Sequence, residues 1–180
     1  MATDITPRTW TDGNLEITTA NLNTEIRDSY LLLLNPPTCV LERNAAFSIP
    51  TGASQTVIPW DSLLFDTEDP STPMYSSVNP SRVTIRTAGW YECMFNIGAL
   101  LGSNIIQTYS LRVNGVTVYT LGSSYGIATT THKVMSCSML LPFNATDYVE
   151  VTALHNSASA QSLEILGNSP NFMVYRRRGL

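Results

Sequence analysis

An alternation of apolar and polar residues with a period of two runs through most of the chain from residue 38 onward. Turn residues interrupt it about every ten residues, which is typical of a β-sandwich or jelly roll. In residues 90–98 the alternation places Tyr91, Cys93, Phe95 and Ile97 on one face. Candidate strands lie at 39–43, 46–49, 55–60, 82–86, 90–98, 109–113, 116–119, 132–141, 148–155, 163–166 and 172–175. The pattern therefore predicts an all-β jelly-roll sandwich.

The dipeptide Asn114-Gly115 separates two of these alternating runs. Asn-Gly at such a place is typical of a two-residue hairpin, in which both turn residues have positive φ. We also interpret Ser123 to Gly126 as a turn, because the segment is small and polar. Residues 66–80 hold three prolines and three acids without apolar periodicity, which indicates the longest loop.

Composition excludes several classes of protein. Only 13% of the residues are charged, too few for a coiled coil or a highly charged disordered chain. Ten basic against fourteen acidic residues give a net charge of −4, so we expect no nucleic-acid partner. No apolar stretch reaches the roughly 18 residues of a membrane span, and residues 1–4 do not resemble a secretory signal. We therefore expect no membrane insertion.

The three cysteines, Cys39, Cys93 and Cys137, are an odd number without a paired spacing. A disulfide framework needs an even and dense set of cysteines. We therefore expect reduced thiols, packed as small apolar groups, in a protein made in a reducing cytoplasm.

Residues 1–37 follow a different pattern and are interpreted as an extended arm followed by one α-helix. The candidate docking or oligomerisation residues are Trp10, Leu22, Ile26, Tyr30 and Leu33. The last four recur at helical spacing, and the helix is expected to end at Asn35, which precedes a proline. A short helix is marginal alone in water, and its last turn, 31–34, is apolar all round. It is expected to pack on copies of itself, the alternative being a helix that caps its own domain.

Few residues could support catalysis. The two histidines, His132 and His155, lie inside predicted strands, where we expect them to have satisfied hydrogen bonds. Nothing marks two carboxylates as the acid pair of a glycosidase, and no phosphate-binding glycine loop occurs. We therefore expect no enzyme activity, no catalytic residue and no cofactor.

The loop 66–80 is a candidate outward contact surface, through Asp66, Glu68, Asp69 and Tyr75. Its three acids could supply the oxygen ligands of Ca²⁺, but such a run also suits a solvated acidic loop, and we assign no metal site. A separate indication of an interface is Trp90, whose neighbour Tyr91 must face the opposite way. The alternative is that both rings fill cores across two sheets.

Three segments in order resemble a known family. They are Gly-Trp-Tyr-Glu-Cys-Met-Phe at 89–95, Leu-Leu-Pro-Phe-Asn-Ala-Thr-Asp-Tyr-Val-Glu-Val at 140–151 and Asn-Phe-Met-Val-Tyr at 171–175. They resemble strands of the complement globular-head and tumour necrosis factor jelly rolls, over residues 43–175. In the second segment Thr146 stands where that family has glycine. The resemblance implies a tight trimer with the closing strand near the shared axis.

The first 30 residues carry a second resemblance. The segments Ile-Thr-Pro-Arg-Thr-Trp-Thr-Asp-Gly at 5–13 and Thr-Ala-Asn-Leu-Asn-Thr-Glu-Ile-Arg-Asp at 19–28 are similar to the opening of many small structural proteins of tailed bacteriophages. In those proteins the opening precedes a β-rich head. The resemblance implies a virion protein of the minor-tail or capsid-decoration type, made in the host cytoplasm and displayed on the particle surface.

We therefore expect two regions, a docking arm and helix at 1–37 and a jelly-roll head at 38–180. The expected function is that of a non-enzymatic homotrimer whose arm binds other capsid or tail proteins. Its head would face outward from a tail fibre, tail tip or head appendage and contact a host cell-surface glycan. One alternative is a capsid decoration protein that clamps the shell at three-fold positions. A second is a small polysaccharide-degrading enzyme.

Overall fold

A computed structural model describes residues 26–27, 30, 33–52, 54–101, 105–125, 131–164 and 170–179. Nearly all regular structure in these residues is β-strand. The strands are β1 (Thr38–Glu42), β2 (Phe47–Ile49), β3 (Thr56–Val57), β4 (Ser62–Asp66), β5 (Arg82–Thr84), β6 (Gly89–Leu101), β7 (Ile106–Val113), β8 (Val116–Tyr125), β9 (Thr131–Phe143), β10 (Tyr148–His155), β11 (Gln161–Glu164) and β12 (Asn171–Arg178).

The strands form two antiparallel sheets. The seven-stranded sheet has the order β2-β11-β6-β12-β1-β4, and β9 pairs with the other edge of β6. The five-stranded sheet has the order β3-β10-β7-β8, with β5 also paired to β10. This arrangement confirms the predicted all-β jelly roll.

The core lies between the two sheets. Tyr91, Cys93, Phe95 and Ile97 of β6 are all buried, as their alternation predicts. The rings of Phe95 in β6 and Tyr109 in β7 meet edge to face with centroids 6.2 Å apart. Aromatic contacts of this kind add to area burial and here join the two sheets.

All three cysteines are free thiols, as predicted. Cys39 and Cys93 are buried, and Cys137 is partly buried. Burial raises the pKa of each thiol above its ordinary value, which favours the neutral form. The cysteines therefore act as core side chains.

The predicted hairpin is confirmed, and a second turn shows a feature that the sequence conceals. φ is 51° at Asn114 and 78° at Gly115, positive at both hairpin positions. φ is also positive, 79°, at Thr146, whose N–H donates to the Ile85 carbonyl at 2.8 Å. A β-branched residue is strained in this region. The positive φ explains why the resembled family has glycine at this position, and nothing in the structure explains why this chain has threonine there.

Gly89, which opens the first resembling segment, is required by close packing. A Cβ at this position would lie 2.5 Å from Arg176 Nε and 2.6 Å from the Arg178 carbonyl oxygen. Arg176 is buried, and its Nε and Nη2 donate to the Ala88 carbonyl at 3.1 and 2.8 Å. The arginine side chain therefore crosses directly over the glycine.

Several local predictions were wrong. β4 was not predicted, because Leu63, Leu64 and Phe65 are apolar without alternation, and its last residue, Asp66, opens the predicted loop 66–80. Residues 123–125, predicted as a turn, continue β8, because backbone pairing with β7 needs no apolar side chains. β11 begins two residues before the predicted strand.

The described part of the predicted N-terminal helix is small. Tyr30, Leu33 and Leu34 have α-helical backbone, and Ile26 and Arg27 belong to a wider π-helical turn. A bend at residue 35 follows, before Pro36, and β1 begins at residue 38. Among the described residues, no helix has the length and apolar character needed to cross a bilayer.

Candidate interaction surfaces

The outward side of the seven-stranded sheet, here called the broad face, carries a stripe of apolar side chains. Strand register places Phe65 of β4, Val40 of β1, Met173 of β12 and Met94 of β6 side by side. Phe65 is about half exposed, and the other three are partly exposed. Apolar residues that are aligned and still accessible are typical of a surface that another surface covers.

Aromatic residues continue the broad face toward the start of β6. Tyr91 is buried, so Trp90 is the ring of this pair that lies outside the core. Arg178 lies over the Trp90 ring at 5.1 Å, and Arg177 lies over the Tyr175 ring at 5.2 Å. The exposed arginines are therefore held by cation–π contacts within the chain.

Glu92 contributes a carboxylate to the broad face. Its Oε1 accepts a hydrogen bond from Ser138 at 2.6 Å, and its Oε2 accepts one from Arg177 Nε at 2.7 Å. The hydrogen bond from Ser138, together with the nearby charge of Arg177, lowers the pKa of Glu92 below its ordinary value. The carboxylate is therefore ionised and compensated before any partner arrives.

At one side of the sandwich, β8 and β9 lie next to each other without pairing. In the described part of the chain, β8 pairs only with β7 and β9 only with β6. Met135, Cys137, Met139 and Leu141 of β9 pack on the core but stay partly exposed, and Tyr119 of β8 is about half exposed. This edge, here called the open side, is a second apolar surface made of different residues from the broad face.

The predicted docking residues lie partly outside the description. Trp10 and Leu22 lie outside the described residues. Ile26, Tyr30 and Leu33 are 63%, 60% and 80% exposed, so none of the three is covered by the sandwich. Docking through these side chains requires that they be exposed, as they are, and it stays a prediction.

Two of the predicted outward contacts, Asp66 and Tyr75, are fastened to the sandwich. The Asp66 carboxylate accepts hydrogen bonds from the backbone N–H groups of Glu68, Met74 and Tyr75 at 3.0, 2.8 and 3.1 Å. The Tyr75 hydroxyl donates to the Trp60 carbonyl at 2.8 Å. Both side chains therefore organise the loop, whatever else they contact.

The other two predicted contacts differ in burial. Glu68 is partly buried, and this burial raises its pKa above the ordinary value, although Thr87 Oγ1 donates to it at 3.4 Å. Asp69 is exposed, and hydrogen bonds from Ser71 lower its pKa. No three metal-ligating side chains of the described residues converge here or elsewhere. An outward contact through these acids stays a prediction.

Both ring nitrogens of the buried His155 make hydrogen bonds to the backbone, as predicted. His155 Nδ1 accepts from the Ser157 N–H at 3.2 Å, so Nε2 carries the proton and donates to the Ile49 carbonyl at 3.0 Å. A groove of about 390 Å³ beside it is mainly apolar, lined by Ile106, Thr108 and Leu154 among others. His132 lies in β9, opposite residue 100.

The fold has clear structural neighbours. The globular domain of a zebrafish complement 1qA protein is 14% identical with a TM-score of 0.55, over 78% of this chain and 99% of that chain. Eiger TNF from S. frugiperda is 13% identical with a TM-score of 0.54, over 80% and 94%. Murine APRIL is 11% identical with a TM-score of 0.53, over 78% and 98%. These likenesses establish the complement-head and TNF jelly-roll fold.

Sequence comparison adds no closer assignment. No family model and no curated protein sequence matches this chain. The structural neighbours are named as complement and TNF-type proteins, and none of the three is named as an enzyme.

Proposed function

We propose that this chain is a non-enzymatic structural and adhesive protein of a tailed-phage particle, which assembles as a homotrimer. The observation that carries the proposal is that the sandwich has two apolar surfaces of different composition, the broad face and the open side. Neither surface has a covering partner within the described part of the chain. A protein with this pair of surfaces is suited to assembly.

The difference between the two surfaces favours a ring over a two-fold dimer. A two-fold dimer joins the same patch on both subunits, whereas the broad face of one subunit would here meet the open side of the next. Head-to-tail contacts form a closed ring when the rotation between subunits is right. The resemblance to complement and TNF jelly rolls supports three subunits, and in this proposal β12, with Met173, lies near the shared axis.

The N-terminal segment supplies the second contact in this proposal. Exposed apolar side chains at Ile26, Tyr30 and Leu33 would bind other virion proteins of the capsid or tail. The phage resemblance of residues 5–28 supports this assignment. In the assembled particle, made in the host cytoplasm, the jelly roll would face outward and hold several weak contacts to the host surface at once, which raises avidity.

A capsid decoration protein is the second candidate, because the described residues form a compact sandwich without a long shaft. In that case the trimer would clamp neighbouring capsid subunits at three-fold positions. The two candidates share the trimer and the docking segment, and they differ in the surface that the head contacts.

The first experiment measures the mass of the protein in solution by light scattering. The unaltered protein is expected at about three times its chain mass of 19.8 kDa. Met173→Asp should give monomers, because it places a charge in the apolar stripe. Val78→Asp is the matched control, since Val78 is 84% exposed and belongs to neither the broad face nor the open side. A monomeric unaltered protein, or a Met173→Asp variant that keeps its full mass, would contradict the trimer.

The second experiment tests docking on the particle. Leu33→Asp, or deletion of residues 1–37, is expected to leave a folded head that no longer incorporates into purified virions, as followed by immunoblot. Incorporation at the unaltered level would rule out docking through this segment. An image of the intact particle would then distinguish a tail appendage from a capsid clamp.

A further inference from the structure

Two arginines flank a buried carboxylate on the outward side of the five-stranded sheet. Strand register places Arg82 of β5, Glu150 of β10 and Arg112 of β7 in one row. Glu150 is only 5% exposed, and its Oε1 accepts from Arg82 Nε at 3.2 Å. The row itself carries two guanidinium groups and one carboxylate, in a chain whose net charge is −4.

The row is held in place before any ligand binds. Arg82 lies over the Tyr148 ring with its Cζ 4.2 Å from the centroid. Arg112 donates to the Gly115 carbonyl through Nε at 2.9 Å and also through Nη2. The Tyr148 hydroxyl lies beside the same glycine, 3.4 Å from where its Cβ would be. Such fixed side chains lose little conformational freedom on binding.

The arginines keep hydrogen-bonding capacity that their internal contacts do not use. A guanidinium has five N–H donors in a planar fork that matches a carboxylate or a phosphate. Arg82 gives one N–H to Glu150, and its side chain is 39% exposed. Further along the row, Thr117 lies opposite Arg112 and its hydroxyl donates to Gln55 Oε1 at 2.9 Å. Gln55 is exposed, and its amide nitrogen takes no part in that hydrogen bond.

We propose that this row, Arg82, Arg112 and the polar residues beside them, binds an anionic polysaccharide. The guanidinium groups would bind its carboxylate or phosphate oxygens, and the amide and hydroxyl groups would bind its sugar hydroxyls. This inference rests on the proposed function, because it names the host-surface ligand of the outward head. It moves the glycan contact away from the loop 66–80, where the acids Asp66, Glu68 and Asp69 would repel an anion.

The position of the row suits a displayed binding site. It lies on the outward side of the five-stranded sheet, whereas the proposed assembly uses the broad face and the core-facing residues of β8 and β9 at the open side, so neither contact includes the row. Three copies on one trimer would bind one polymer at several points, which multiplies a weak affinity.

The test measures binding of the full chain to immobilised polygalacturonate, to dextran phosphate and to neutral dextran. The double variant Arg82→Lys/Arg112→Lys keeps both charges next to Glu150 but removes the planar forks. It is expected to melt near the unaltered protein and to bind charged polymer about tenfold more weakly. Arg27→Lys, an exposed arginine on the N-terminal segment, is the matched control and should bind as the unaltered protein does.

The outcomes separate this site from the trimer. Binding to a charged polymer that the double variant weakens supports the site, and the polymer bound more tightly identifies the carboxylate or the phosphate as the preferred group. Equal binding to neutral dextran, binding unchanged in the double variant, or no binding to either charged polymer overturns it. Light scattering on the same samples reports the trimer, so a monomer that still binds would contradict the assembly and not the site.

Discussion

The two sheets of the sandwich use their outward faces in opposite ways. On the five-stranded sheet, Glu150 and Thr152 point away from the core and are nevertheless buried, and Arg82 donates to Glu150 while Thr152 donates to the Ser110 carbonyl. On the broad face, Met94 and Met173 occupy outward positions and stay partly exposed. One face thus satisfies its buried polar groups internally, whereas the other presents apolar groups without a cover.

This contrast shows which observation marks an interface. Exposed apolar residues are common on protein surfaces, and buried polar residues are common where hydrogen bonds satisfy them. The informative feature is an apolar row that crosses four strands in register, as Phe65, Val40, Met173 and Met94 do. The outward side of the five-stranded sheet, here called the polar face, needs no second molecule for its stability. The following predictions test this difference from the broad face.

The largest effect is expected at the hairpin that borders the polar face. Asn114 Oδ1 accepts from the Tyr148 N–H at 3.0 Å, and Nδ2 donates to Asp147 at 2.8 Å. Asn114→Val loses both bonds and places a β-branched residue at positive φ, which should lower the free energy of unfolding by about 2–4 kcal/mol. Urea unfolding at a fixed protein concentration measures the change.

Asn114→Gly is the control for this variant, since it relieves the backbone strain but still lacks the side-chain bonds. It should fall between the unaltered protein and Asn114→Val. Equal stability of the valine variant and the unaltered protein would show that the turn does not hold the polar face.

The next prediction compares one carboxylate from each face. Glu150→Gln removes a buried charge that accepts hydrogen bonds from Arg82 and Ser81, and should cost about 1–3 kcal/mol of unfolding free energy. Glu92→Gln should cost less, because water can solvate the more exposed Arg177 that remains. The two urea midpoints measure the difference, and a larger loss at Glu92 would reverse the contrast between the faces.

A smaller and opposite effect is expected at Thr146. Relief of strain at its φ of 79° exceeds the entropic cost of a glycine, so Thr146→Gly should raise the unfolding free energy by about 0.5–1 kcal/mol. Thr146→Ala keeps a Cβ and should gain less. Thermal melting of the three proteins tests this order, and destabilisation by glycine would mean that the threonine side chain makes a compensating contact.

The smallest effect is a pH dependence at Glu68. Its folded-state pKa is raised by burial, so ionisation of Glu68 opposes folding. Relative to Glu68→Gln, the unaltered protein should lose stability as pH rises from the ordinary carboxyl pKa through the raised one. Asp69→Asn is a control of opposite sign, because the Asp69 pKa is lowered and its ionised form favours folding. Urea midpoints measured upward from the ordinary carboxyl pKa give the Glu68 slope, and midpoints measured downward from it give the Asp69 slope.

Much of the fold could be predicted because its signals are local. The alternation at 90–98 places Tyr91 and Phe95 in the core, and Asn114-Gly115 specifies a hairpin without reference to the rest of the chain. β4 could not be found in this way, because it is an apolar edge strand that depends on pairing with β1. The strained turn at Thr146 carries no local signal either, since threonine does not favour positive φ.

The candidate surfaces were harder to predict for a related reason. Alternation placed Trp90 on the face opposite Tyr91, but it could not place Val40 or Met173 on that face beside it, since register between distant strands is not local. Likewise, Arg82, Arg112 and Glu150 are far apart in sequence and meet only through pairing with β10. The acids at 66–69, by contrast, are close together in sequence and were therefore predicted as an outward contact. The Asp66 carboxylate instead accepts hydrogen bonds from the backbone of its own loop.

β12 follows every other described strand along the chain, yet it lies between β1 and β6 in the middle of the seven-stranded sheet. During translation β1 and β6 therefore lack the strand that joins them until residues 171–178 emerge from the ribosome. A fragment terminated before this point lacks Met173 and with it the centre of the apolar stripe on the broad face. In the proposed trimer, incomplete chains would thus be excluded from assembly by the strand order itself.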